Sequence, residues 1–193
     1  MSYNVSLPSY SVGTDVYKLV GSICAGYGHK AAAIGGHKAM AAVKDKLCKA
    51  IIDSDIEISD FIWYGGEASY ENVENLMSLE TVRNADMLFA IGGGKATDTV
   101  KTLADMTGKP VFTFPTIASN CSSCTSVSIM YNNNGIFLKP HFLPTHRLMH
   151  LLIQRLSLIL LRDICGQESG THMQSILKAV FPQGMRKFLI ILL

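Results

Sequence analysis

The segment from Met87 to Tyr131 constrains the fold of this chain more than any other part of the sequence. It reads MLFAIGGGKATDTVKTLADMTGKPVFTFPTIASNCSSCTSVSIMY and begins with an apolar run typical of a buried strand. The glycines and lysine of Gly92–Lys95 follow, and a helical pattern over 96–106 comes next. A second apolar run, 111–114, then leads into a loop rich in hydroxyl groups. This order predicts one unit of an open α/β sheet.

The glycine turn favours a nucleotide site. Glycines let the backbone approach a pyrophosphate without a Cβ clash, and the free N–H groups at a helix start attract negative charge. The turn does not match a P-loop, whose first glycine would fall on Phe89, and it lacks the last glycine of G-x-G-x-x-G, which would fall on Thr97. A turn made only for tight packing is therefore equally consistent with the glycines alone. The second loop, at Thr116, favours nucleotide binding.

The preceding residues repeat the alternation of strand and helix. Strands are predicted at 30–36 and 57–63, and helices at 38–50 and 69–84. The fold class expected is α/β, a doubly wound and mostly parallel Rossmann-like sheet. The runs SVSIMY and GIFLK flank the turn residues Asn132–Gly135 and predict an additional β-hairpin.

Composition excludes several classes of protein. The 193 residues carry a net charge of +2, without a cluster of basic and aromatic residues that would indicate nucleic-acid binding. The first residues lack the basic and apolar regions of a secretory signal, and no segment is expected to cross a membrane. Five scattered cysteines fit reduced thiols better than a disulfide framework. We expect a cytoplasmic protein.

A family resemblance rests on four elements of the sequence. They are GGGK at Gly92–Lys95, Asp98 with Lys101 on the following helix, PT-x-AS at Pro115–Ser119, and S-x-x-Y at Ser128–Tyr131. In this order and spacing they resemble the N-terminal domain of the iron-containing (metal-dependent) alcohol dehydrogenase family, in its glycerol dehydrogenase-like branch. The resemblance covers a dinucleotide-binding domain at 1–143.

The resemblance implies a dehydrogenase that transfers a hydride between NAD or NADP and a small alcohol or hydroxy acid, aided by zinc or iron. It leaves homo-oligomer formation open. In glycerol-specific members an aspartate that contacts the substrate stands where this chain has Cys121. The thiol disfavours glycerol and favours relatives acting on 2-hydroxycarboxylates. The cofactor contacts implied are Gly93, Gly94, Lys95 and Asp98 on one side, and Thr116, Ser119, Thr125, Val127 and Tyr131 on the other.

Three of these features have simpler interpretations. Asp98 could be an acid in the first turn of its helix, stabilised by the helix dipole. Cys121 and Cys124 form a C-x-x-C, which could be a redox dithiol or half of a zinc knuckle. Because no second pair exists at that spacing, two small residues lining a loop are favoured. His37, near the expected adenosine ribose, is better explained as a surface histidine opening a helix.

The residues 144–193 do not fit the family. They form an apolar tail rich in leucine that ends in FLIILL, and we expect no native domain there. The family continues with a strand carrying Asp-Thr, a Gly-Ile-Gly-Asp segment that supplies the first metal ligand, and a helical domain with two histidine ligands. This chain therefore offers no metal ligand and no catalytic residue, and the helical metal-binding domain is expected to be absent.

We hypothesise that a shifted reading frame produced the tail. If the DNA is read from the third base of each codon, the codons for residues 152–158 can encode VDTEVIS. In the same frame, the codons for residues 161–176 can encode a string that contains AGIGDT. Both strings match the family in order and in one frame. We therefore expect a frameshift between 144 and 150 and a truncated, catalytically inactive product. The alternatives are a genuine small protein with an apolar C-terminal helix, a non-enzymatic nucleotide-binding module, and a pseudogene product.

Overall fold

A six-stranded parallel sheet forms the centre of the molecule. The computed structural model describes residues 9–13, 15–117, 121–143 and 149–154. The strands are β1 Ser9–Gly13, β2 Lys30–Gly35, β3 Glu57–Trp63, β4 Met87–Gly92, β5 Val111–Pro115, β6 Val127–Tyr131, β7 Phe137–Phe142 and β8 Met149–Gln154. The helices are α1 Val20–Cys24, α2 His37–Ile51, α3 Tyr70–Ser78, α4 Glu80–Asn84 and α5 Gly94–Thr107, with 3-10 turns at Val16–Leu19 and Ser122–Cys124.

The strand order is β1-β8-β5-β4-β2-β3, and both faces of the sheet are covered. All six residues of β4 are buried, as expected for a strand in the middle of a doubly wound sheet. Phe89 and Ile91 pack on the face covered by α2, whereas Leu88 and Ala90 pack on the face covered by α3 and α5. The α/β fold class predicted from the alternation of strands and helices is confirmed.

The β-hairpin is also confirmed. Strands β6 and β7 pair antiparallel and form a separate two-stranded sheet. In the turn, Gly135 adopts a positive φ of 75°, and its N–H donates to the Asn132 carbonyl. The side chain of Asn132 accepts from the N–H groups of Asn134 and Ile136. Asparagine and glycine thus form this turn for the reasons that made them a hairpin signal.

The single helix predicted over 69–84 is wrong. The chain forms two helices, α3 and α4, separated at Leu79, whose backbone is extended at ψ 131°. Val73 and Val82 are nine residues apart and would point in opposite directions on one continuous helix. The break at Leu79 turns α4 so that both valines are fully buried in the same cluster, while Leu79 itself is 40% exposed.

Strand β8 lies within the apolar tail and pairs with β1 and β5. Its backbone fills the position between these two strands in the sheet. The rest of the tail, 144–148 and 155–193, lies outside the described residues. The division of the chain after residue 143 therefore stays a prediction. None of the helices in the described ranges combines the length and the apolar character needed to cross a bilayer.

Candidate functional site

A cleft of about 250 Å³ opens where the four neighbouring strands β5, β4, β2 and β3 end. The chain runs from β2 outward to the edge strand β3 and then returns across β2 to β4, so the winding direction reverses between β2 and β4. In open α/β sheets, ligands bind outside the carboxyl ends of the strands at such a reversal. The cleft lies there, lined by Gly36, Ala39, Tyr64, Gly92, Gly93, Gly94, Lys95, Ala96 and Ile117.

Glycines form the floor of this cleft because a side chain would not fit. Gly92 has a φ of +144°, which other residues rarely adopt, and a Cβ there would lie 3.2 Å from the Ala96 Cβ. A Cβ at Gly93 would lie 2.5 Å from Cδ1 of Ile117. Glycines at these positions therefore allow Ala96 and Ile117 to pack closely against the turn that lines the cleft.

Helix α5 begins at Gly94, two residues earlier than the helical pattern predicts. Gly93 is its N-cap and no side chain caps the helix, so its first turn offers backbone donors and the positive end of the helix dipole to the cleft. This arrangement suits a phosphate group. Asp98 lies beyond the first turn, so its interpretation as a first-turn acid is wrong.

The loop after β5 lies beside the glycine turn. The N–H of Thr116 donates to the Gly92 carbonyl over 3.3 Å, which holds the ends of β4 and β5 together. Ile117 is 47% exposed and lines the cleft. The two loops that the sequence singled out thus meet at one edge of the sheet.

Lys95 stands at the edge of the cleft in an ion pair. Its Nζ lies 2.6 Å from Oε2 of Glu67, a residue 15% exposed in the loop after β3. The hydrogen bond from Lys95 to Glu67 is the main cause that raises the pKa of this lysine. Glu67 is oriented by its own backbone neighbour, because Oε1 accepts from the Ala68 N–H at 3.0 Å. A carboxylate of the chain therefore neutralises the charge of the lysine at the cleft.

A second network lies behind α5 and fixes the residues 121–129. Asp98 accepts from the Ser122 hydroxyl at 2.6 Å and from the Ile129 N–H at 3.2 Å. Lys101 is fully buried, and its Nζ lies 3.0 Å from Oδ1 of Asp98. The same ammonium donates to the carbonyls of Ser122 at 2.7 Å, Thr125 at 3.1 Å and Val127 at 2.5 Å.

The C-x-x-C combines an exposed cysteine with a partly buried one. Burial is the largest cause that raises the pKa of the Cys124 thiol, which makes this thiol a poorer nucleophile. Its Sγ contacts the Cys121 carbonyl at 3.2 Å. Cys121 is exposed at the start of the 3-10 turn. Both cysteines thus belong to the 3-10 turn between β5 and β6, and their role stays a prediction.

The predicted cofactor contacts do not all lie at the cleft. Gly93, Gly94 and Lys95 line the cleft, and Thr116 adjoins it. Asp98, Thr125 and Val127 take part in the network behind α5, and Tyr131 donates its N–H to the Ala68 carbonyl at 2.7 Å. Ser119 lies outside the described residues.

Sequence reasoning missed part of the cleft. Tyr64 and Glu67 come from the loop after β3, and no local pattern marks them. Gly36 lines the cleft after β2, where the paired glycines were the available signal. His37 is exposed at the start of α2, as predicted, and stacks on Trp63 with ring centroids 5.5 Å apart.

Comparison with known proteins identifies the family. The family model described as iron-containing alcohol dehydrogenase matches residues 8–150. The chain belongs to this family. A glycerol dehydrogenase of Thermotoga maritima is 43% identical over 81 residues, which are 42% of this chain and 22% of that protein. Hydroxycarboxylate dehydrogenase A of Escherichia coli K12 is 33% identical over 102 residues, 53% of this chain and 27% of that protein.

Solved structures share the fold. The glycerol dehydrogenase of Schizosaccharomyces pombe superimposes with a TM-score of 0.68 at 20% identity, covering 79% of this chain and 39% of that one. This chain therefore spans less than half the length of the relatives named here. The family resemblance drawn from the glycine turn and the S-x-x-Y element is confirmed.

The chemistry of the described cleft suits an anionic group. The uncapped start of α5 offers backbone donors and the positive end of the helix dipole beside the glycines of the cleft. In the ranges 9–13, 15–117, 121–143 and 149–154, no three His, Cys, Asp or Glu side chains come together as metal ligands. No step through a metal is therefore assigned to these residues.

Proposed function

We propose that this chain supplies the NAD(P)-binding domain of a dehydrogenase acting on a small polyol or a 2-hydroxycarboxylate. The observation that carries the proposal is the uncapped start of α5 facing a glycine-floored cleft at the reversal of the sheet. Membership of the iron-containing alcohol dehydrogenase family supports it. When bound, the nicotinamide would accept or donate the hydride.

The residues of the cleft would divide the binding of the cofactor between them. The amides after Gly93 would hold the pyrophosphate, and Lys95 would neutralise one of its charges. The side of the cleft formed by Gly36 and Ala39 would receive the adenosine half, since it lies next to β2. Thr116, with Ser119, Thr125, Val127 and Tyr131, would line the nicotinamide side.

The substrate is proposed to be a 2-hydroxycarboxylate rather than glycerol. Cys121 is exposed at the position implied for the substrate contact, and a thiol is a weaker hydrogen-bond acceptor than the carboxylate of glycerol-specific members. The similarity to a hydroxycarboxylate dehydrogenase supports this choice. In the intact family the metal, zinc or iron, acts as a Lewis acid on the substrate oxygen.

A second candidate is a nucleotide-binding module without turnover, which would use the same glycine-lined cleft and the uncapped start of α5. The catalytic inactivity of this 193-residue chain stays a prediction. Incubation of the purified chain with NAD and either glycerol or lactate tests it by absorbance of NADH, and formation of NADH would contradict it. Sequencing of the DNA that encodes residues 144–150 tests the frameshift, which requires a nearby insertion or deletion that restores a long open frame.

Cofactor binding can be measured through the single tryptophan of the chain. Trp63 is 49% exposed at the end of β3 and precedes Tyr64, which lines the cleft. We expect NADH to quench its fluorescence in a saturable manner. ATP, which also carries phosphates, should compete weakly, because it lacks the nicotinamide half. A folded chain that shows no saturable quenching would refute the nucleotide-binding function.

Removing the carboxylate that pairs with Lys95 should strengthen cofactor binding. We expect Glu67→Gln to lower the Kd for NADH by up to about fivefold, since a partly exposed ion pair is worth ~0.2–1 kcal/mol and its loss frees the lysine. The gain should shrink at high salt, where exposed charges are screened. Titration of Trp63 fluorescence at two ionic strengths measures both effects.

Glu74 provides the matched control for this substitution. It is exposed on α3 and forms no ion pair in the described part of the chain. Glu74→Gln should leave the Kd unchanged. Equal affinities for Glu67→Gln and the unchanged chain at low salt would show that Lys95 does not meet the phosphate.

A further inference from the structure

We propose that Lys101 and Asp98 are positioning residues, which hold the segment 121–129 as the nicotinamide-side wall of the cleft without touching the cofactor. The proposal rests on the function proposed above, in which these two residues would support the site without contacting the cofactor. It follows from the hydrogen bonds that their polar atoms form.

Lys101 uses its whole hydrogen-bonding capacity inside the protein. An ammonium group has three donors, and the structure surrounds it with four acceptors: the carbonyls of Ser122, Thr125 and Val127, and Oδ1 of Asp98. Its side chain has no exposed surface. A lysine in this position cannot reach a ligand in the cleft, so any effect on binding must pass through the segment it holds.

Asp98 completes the same attachment from one turn earlier on α5. One carboxylate oxygen accepts from the Ser122 hydroxyl and pairs with Lys101, while the other accepts the Ile129 N–H. The carboxylate therefore binds both ends of the segment 121–129. Burial alone lowers the pKa of Lys101, and the charge of Asp98 opposes this effect. Each charge is thus compensated by the other and by backbone dipoles.

The segment held in this way borders the cofactor cleft. The Ser122 hydroxyl lies 3.5 Å from the Gly94 carbonyl, in the first turn of α5. The Thr113 hydroxyl of β5 donates to the Ser123 carbonyl at 3.0 Å. Residues 122 and 123 therefore lie against the middle of β5 and the first turn of α5, and β4 separates β5 from β2 in the sheet. A dinucleotide whose adenosine half lies near β2 would place its nicotinamide half towards this segment.

The test compares two ligands on one variant of the full chain. Lys101→Met removes the three carbonyl contacts, and we expect the Kd for NADH to rise at least tenfold. The Kd for ADP-ribose, which lacks the nicotinamide, should stay within twofold because the glycine turn is unchanged. NADH binding is followed by fluorescence and ADP-ribose binding by titration calorimetry. Lys46→Met, at an exposed lysine of α2, is the matched control and should change neither value.

A second variant keeps the test decisive if the single substitution unfolds the chain. Asp98→Leu combined with Lys101→Met removes both charges and leaves no unpaired buried ion, so folding should survive while the segment is released. It should show the same selective loss of NADH affinity. A uniform loss of both ligands by a folded variant, or no loss of either, would overturn the positioning role. Failure of the unchanged chain to bind either ligand would instead overturn the proposed function, and the positioning role with it.

Discussion

Gly35→Ala is expected to destabilise the chain by about 3 kcal/mol and to weaken cofactor binding at the same time. A Cβ at Gly35 would lie 2.1 Å from the carbonyl oxygen of Ile91, on the neighbouring strand β4. The obstacle is backbone rather than a flexible side chain, so the two strands must move apart to accept a methyl group. Such overpacking costs ~1–3 kcal/mol and more where the backbone is displaced.

The loss of affinity has the same origin as the loss of stability. The pair of residues 35 and 91 is the last one that joins β2 to β4, and the cleft opens immediately beyond it at Gly36 and Gly92. Any separation of these strand ends widens the site that must hold a pyrophosphate. Urea unfolding measures the first effect, and NADH titration of the folded variant measures the second.

Gly26 is the appropriate control for this substitution. It lies in the turn before β2, and a Cβ there would meet no atom within 4 Å. Gly26→Ala should therefore change the free energy of unfolding by no more than ~0.5 kcal/mol. If both alanine variants unfold at the same urea concentration, the close approach of β2 and β4 is not the constraint that the structure indicates.

Local patterns in the sequence are sufficient to predict the central strands and the hairpin of this molecule. The apolar runs that became β2, β4 and β5 are buried on both faces, so their composition alone distinguishes them. The turn at Asn132–Gly135 defined the hairpin in the same way. The break between α3 and α4 was not predictable from such patterns, because Leu79 is a good helix former and only the packing of Val82 requires the chain to turn there.

In the candidate site, too, some features could be predicted from local sequence patterns and others could not. Its glycines and the helix after them could be predicted, since a ligand that needs close backbone approach leaves a local signature. The ion pair of Lys95 with Glu67 joins residues 28 apart, and the three carbonyl contacts of Lys101 depend on a loop that follows a further strand. A lysine is normally expected at the surface, so nothing in the spacing of Asp98 and Lys101 indicated a buried pair.

Among the apolar residues, Phe89 in the core beneath the glycine turn should be the one whose substitution lowers stability most. Phe89 is completely buried in β4, and its ring lies 5.0 Å from that of Phe114 and 5.8 Å from that of Phe112. We expect Phe89→Ala to lower the free energy of unfolding by ~3–5 kcal/mol, because it removes buried apolar surface and leaves a cavity between two rings that α2 already covers. Urea unfolding monitored by circular dichroism measures the change.

The same substitution at a phenylalanine outside the core serves as a control, because it removes an aromatic ring without removing core packing. Phe142 is 71% exposed at the end of β7, so Phe142→Ala should alter the free energy of unfolding by less than ~0.5 kcal/mol. Phe89→Leu should fall between the two, since it restores most of the volume but not the edge contacts with the neighbouring rings. If Phe89→Ala lowers the free energy of unfolding as little as Phe142→Ala does, the sheet does not pack against α2 as the structure describes.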